Sequence, residues 1–159
     1  MKIGILVIYL LDENNEKLMD IHLDRIEQHT KMPFTIYAAT NRLLPKFLPK
    51  LQNNPNVKIC DIETTELRGH DEHSYYLKNL ADYAIEDEAD YLAILHLDSF
   101  PVENAWDQKL AKKLTGKTVL AAIIIILVAF MTTWFFILAV PPKKKKVFPE
   151  KGISHYGRN

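Results

Sequence analysis

The chain has 159 residues, and its 20 lysines and arginines balance 20 aspartates and glutamates. Net charge near zero removes the general basic character expected of a nucleic-acid binder, and no acidic tail is present. The only cysteine, Cys60, rules out an internal disulfide and argues against a cysteine-based metal site; its apolar setting reads as a packed core thiol.

In chain order, KIGILVIYLL (residues 2–11) is a continuous β-rich run, expected as a strand covered on both faces. It is too short and too soon followed by charge for a secretory leader. Residues 14–30 place Met19, Leu23 and Ile26 at spacings of four and three, which predicts a helix. PFTIYAA (33–39) is a second strand, opened by Pro33. Leu44, Phe47, Leu48 and Leu51 fall at helical spacing, in a helix that Pro45 and Pro49 shorten or kink. NVKICDI (56–62) is a third strand. Ser74 is the expected cap of a helix reaching Ile85, with Leu77, Leu80, Ala81 and Ala84 on its inner face. DYLAILHL (90–97) is a fourth strand, and residues 103–114 carry Trp106, Leu110 and Leu114 four apart on a last helix. Strands alternating with helices predict an α/β fold with a parallel sheet and right-handed crossovers.

Asp98 follows the fourth strand directly. Open α/β sheets bind ligands beyond the carboxyl ends of their strands. A carboxylate there is suited to a hard cation, and a divalent cation stabilises a departing diphosphate. The alternative is that Asp98 only starts a turn. No Gly-rich phosphate loop occurs: Gly4 stands alone inside a strand, with neither a Walker pattern nor a dinucleotide fingerprint around it. His70-Asp71-Glu72-His73 has two histidines three apart, but with no third distant ligand it reads as a polar helix entry rather than a zinc site.

The order of elements, and above all HSYYLKNLADYAIEDEADYLAILHLDSFPVENAW (73–106), resembles the GT-A fold and specifically family 2 glycosyltransferases, over roughly residues 1–115. The resemblance implies a mostly parallel, Rossmann-like sheet flanked by helices that binds a nucleotide-diphosphate sugar for transfer to an acceptor it does not identify. It makes Asp98 the ligand of the nucleotide sugar and of a divalent Mn²⁺ or Mg²⁺. It also places Tyr9, Asp12, Asn41 and His73 near the nucleotide. Each has a plainer reading: Tyr9 as core, Asp12 as a solvated loop acid, Asn41 as a turn residue, His73 as a helix-start residue.

This chain departs from the family pattern in two ways. Phe100 occupies the position of the motif's second acid, while His96 lies two residues before Asp98. Alternate residues near a strand end project to one side, so His96 and Asp98 form a candidate metal pair, with a core histidine as the alternative. In place of the family's acceptor-binding half, with its catalytic base, comes an apolar run. A second reading follows: a non-catalytic, truncated or degenerate, membrane-tethered glycosyltransferase-like domain.

That run, residues 118–140, is uncharged and divides the chain into an α/β domain (1–117), an apolar segment (118–140) and a basic tail (141–159). At ~1.5 Å per residue it is long enough for a hydrocarbon core of ~30 Å, so a transmembrane helix is expected. Lys143 to Lys146 follow it like a flank, with Lys109, Lys112, Lys113 and Lys117 before it. Positive flanks favour the cytoplasmic face, giving a membrane-associated chain whose soluble domain is cytoplasmic. The competing arrangement is two buried strands, TVLAAIIIILV and TTWFFILAV, since Ile and Val clusters suit strands, although no turn signal separates them. PPKKKKV also matches a basic nuclear-import signal, a weaker reading than a membrane flank.

Overall fold

A computed structural model of the protein describes residues 1–11, 16–114, 120–125 and 133–139, the last two stretches as backbone only. Its elements are β1 (Ile3–Leu11), α1 (Glu16–His29), β2 (Phe34–Leu43), α2 (Leu48–Gln52), β3 (Val57–Ile59), α3 (His70–Glu86), β4 (Tyr91–Ile94), α4 (Trp106–Ala111), β5 (Leu120–Ile125) and β6 (Thr133–Ala139). They build one sheet in the order β3-β2-β1-β4-β6-β5. The first four strands are parallel, as expected. β6 runs antiparallel to both β4 and β5.

The unbroken apolar run of β1 is explained by its place in the middle of the parallel strands. Ile3, Ile5, Val7, Tyr9 and Leu11 face α1 and α4, meeting Met19, Leu23, Ile26, Trp106 and Leu110. Leu6 and Ile8 face the other layer, where Tyr37, Leu92 and the inner side of α3 pack. Gly4 is required on that side. A Cβ there would lie 3.0 Å from Ala84 Cβ and 3.2 Å from Leu92 Cδ2 and Tyr37 Cε2, so its absence lets α3 press close to the sheet.

Two helices differ from expectation. α3 begins at His70, not Ser74, behind a Gly69 whose φ of 62° few other residues adopt. Asp71 and Glu72 in its first turn complement the helix dipole. Its buried stripe is Glu72, Tyr76, Leu80 and Ala84, with Leu77 and Ala81 only partly covered. α4 is short because Ala105 takes a left-handed conformation just before it. Its first residues instead fasten the turn between α1 and β2. Trp106 Nε1 donates to Thr30 Oγ1 at 3.0 Å, and Asp107 Oδ2 accepts from the backbone N–H groups of Lys31 at 3.0 Å and Met32 at 2.6 Å.

The expected transmembrane helix is not what the backbone forms. The described parts of the run 118–140 are the strands β5 and β6, and no helix among the described residues is long and apolar enough to cross a membrane. Two physical terms favour strands. The β-branched residues of LAAIII and TWFFILA suit a pleated surface, and β4 offers a row of backbone groups for β6 to pair with. The basic tail, 141–159, lies outside the described residues.

Candidate functional site

The chain runs from β1 outward through β2 to β3 and then returns to the other side of β1 as β4. This reversal opens a crevice at the strands' carboxyl ends, the usual ligand position in open α/β sheets. A cleft of about 340 Å³ lies there, on the α3 side of the sheet. Ile8 and Leu10 of β1 and Tyr76 of α3 form its apolar wall, and Leu10 is 60% exposed. Asn41, Arg42, Gly69, Glu72, His73 and His96 bring polar groups to it.

Strand parity and one irregularity select these residues. Ile8 pairs with Ala39, whereas Leu10 pairs with Arg42, so β2 carries one extra residue. Such a bulge re-aims side chains, and here two consecutive ones, Asn41 and Arg42, reach the same cleft. The amide nitrogen of Asn41 donates to the Ile62 carbonyl at 2.7 Å, fixing the segment that leads to α3. Arg42 Nη2 forms an ion pair with Glu72 Oε2 at 2.8 Å. The pair explains how Glu72 tolerates being only 8% exposed.

The early start of α3 brings His73 to the cleft. Its ring stacks on that of His96, which follows β4, with centroids 5.1 Å apart and planes 21° from parallel. Desolvation, followed by the neighbouring His96 and His70, lowers the His73 pKa, while Glu72 pulls it the other way.

Of the residues expected near a nucleotide, Asn41 and His73 line the cleft, joined by His96, which was expected only as a metal ligand, whereas Tyr9 and Asp98 do not line it. Tyr9 is a correction: odd positions of β1 face α1, and its ring is fully buried there. Its hydroxyl lies 3.5 Å from His22 Nδ1, and burial pushes the phenol above its ordinary pKa. Asp98 is exposed in a turn closed by Ser99 N–H donating to the His96 carbonyl at 2.8 Å. Ser99 Oγ donates to its Oδ1 at 3.4 Å, and Asp98 is not among the residues lining the cleft. The strand breaks after Ile94, so the alternation that would have set His96 and Asp98 side by side no longer applies. Asp12 lies outside the described residues.

Among the described residues, the cleft brings together no donor set of the kind the resemblance implies for a divalent cation. Asp98 stands outside the cleft, the His96 ring is engaged with His73, and no group of three His, Cys, Asp or Glu side chains able to hold a metal occurs among the described residues.

Sequence reasoning passed over Arg42, Tyr76 and Gly69 and read Glu72 only as part of a polar helix entry. The spacing of Glu72, Tyr76 and Leu80 is helical, and Gly69 lets α3 start at His70. The bulge that delivers Arg42 leaves no trace in local composition.

A second cavity, about 410 Å³, lies at the opposite, amino ends of the strands, lined by Met1, Lys31, Met32, Tyr91 and Lys112 among others. It lacks the convergence of imidazole, guanidinium and amide groups seen in the first cleft. No protein-family model matches the chain, and no curated protein matches it either.

Proposed function

We propose that this chain is the donor-binding half of a glycosyltransferase and holds a nucleotide-diphosphate sugar in the cleft beyond β1, β2 and β4. The observation carrying this reading is the convergence of Asn41, Arg42, His73 and His96 at the reversal point of the sheet. A flat apolar wall with a few fixed polar groups suits a nucleoside, and guanidinium and imidazole N–H groups suit its phosphates. Glycosyl transfer would form a bond from an acceptor oxygen to the sugar's anomeric carbon as the bond to the diphosphate breaks, with the acceptor's proton released to solvent, and these donors would stabilise the charge on the departing diphosphate. The test is calorimetric titration of the full chain with UDP- and GDP-sugars. Micromolar to low-millimolar binding that His73→Ala weakens is expected, and no binding of any donor refutes the reading.

A second reading has its own support. The exposed turn position of Asp98, with Phe100 where the motif's second acid would stand, favours a domain that binds donor without turning it over. Donor hydrolysis and transfer assays on the same protein separate the two: binding without release of free sugar selects the non-catalytic form.

A further inference from the structure

The cleft's nitrogen donors have an arrangement that discriminates between anions and metals. A metal ligated by imidazole lies in the plane of the ring, ~2.0–2.1 Å from the nitrogen. The stacked, nearly parallel rings of His73 and His96 offer no shared point of that kind. Both rings line the cleft, and even a neutral imidazole keeps one N–H to donate to an oxygen of an anion. Arg42 adds a permanent positive charge. Its ion pair with Glu72 engages one edge of a guanidinium that carries five N–H donors, and its side chain is still 47% exposed. The 17-residue helix α3 also begins at this cleft, directing its positive dipole end toward it. Among the described residues, the acidic groups close to these donors are Glu72, already paired with Arg42, Asp71, which is exposed, and Asp98 in the turn after His96.

Building on the nucleotide-sugar reading, we infer that the cleft grips the diphosphate directly through His73, His96 and Arg42, with no metal ion bridging protein and phosphate. The site is then a side-chain clamp for pyrophosphate-containing ligands, a different solution from the acidic motif that the resemblance implies.

The experiment is titration calorimetry of the full, untagged chain with inorganic pyrophosphate, UDP and GDP, each with EDTA and then with Mn²⁺. Binding in EDTA, changed by less than about twofold when Mn²⁺ replaces it, is expected. A His73→Ala/His96→Ala double variant and Arg42→Gln should each weaken it by about tenfold or more, the loss of one or two charge-assisted hydrogen bonds. Asp98→Ala should leave it unchanged. Because His96 is exposed, His96→Asn tests the clamp without disturbing the core. Binding that appears only with Mn²⁺ overturns the inference while leaving the nucleotide reading intact. Pyrophosphate binding without UDP or GDP binding keeps the clamp and removes the nucleotide reading; no binding of any of the three removes both. A parallel variant with Lys143, Lys144, Lys145 and Lys146 changed to Gln identifies the basic tail. If that change abolishes binding and the histidine changes do not, the clamp is refuted.

Discussion

His22 should make the fold lose stability on mild acidification, with a size that follows from its surroundings. The imidazole is fully buried on α1, against Tyr9 and beneath the turn after β4. Burial lowers its pKa from 6.5 to about 4, an effect that the backbone of His96 only partly offsets. Its Nε2 has no partner at hydrogen-bond geometry. In the unfolded chain the ring takes up a proton near its ordinary pKa, so between the two values the unfolded state binds more protons. Stability therefore falls as pH drops from about 6.5 to about 4 and levels off below, where both states are protonated. Each unit of difference corresponds to about 1.4 kcal/mol, so the loss between pH 7 and pH 4 is about 3 kcal/mol. That is a large share of the ~5–15 kcal/mol that holds a domain together. Urea unfolding followed by circular dichroism, at half-unit steps from pH 7.5 to 3.5, measures it. His22→Gln removes the titration, and subtracting the variant's curve from that of the wild type isolates this one group from the carboxylates. A difference curve that is flat from pH 7 to 4 would refute the argument. So would an imidazole resonance of His22 that titrates near pH 6.5 in the folded protein.

Gly4→Ala should lower stability by about 1–3 kcal/mol, read as a drop in urea midpoint at constant slope, because the new methyl meets Ala84 and Leu92 where α3 crosses the sheet. Cys60 is free and buried, and desolvation raises its thiol pKa to about 11. It should therefore resist iodoacetamide at pH 8 in the native protein and react once the chain is unfolded, with the extent of alkylation read by mass spectrometry.

The parallel half of the fold was legible because its signals are local. β1 announces itself as an unbroken apolar run, and Met19, Leu23 and Ile26 mark the buried face of α1 correctly. The start of α3 was misplaced because serine is a good cap, and a glycine with positive φ leaves no comparable signature. The resemblance places Tyr9 at the site through its position near the end of the first strand. Which face of β1 meets the cleft depends on where α3 packs, and the period-two pattern does not contain that information. The cleft's best-placed cation, Arg42, depends on a one-residue bulge that becomes visible only when β1 and β2 are aligned in register. The run 118–140 has composition compatible with a helix in lipid or with strands in a sheet; an available partner strand, β4, distinguishes them.

The pairing of Tyr91 through Ile94 with Ala139 through Phe136 gives the strand most exposed to error a neighbour on each side. A shortened protein ending at residue 117 would leave this four-residue ribbon with an unsatisfied rim of amides and carbonyls, open to any extended peptide nearby. Such a fragment should self-associate, so a shortened protein meant to isolate the cleft should keep β5 and β6 attached.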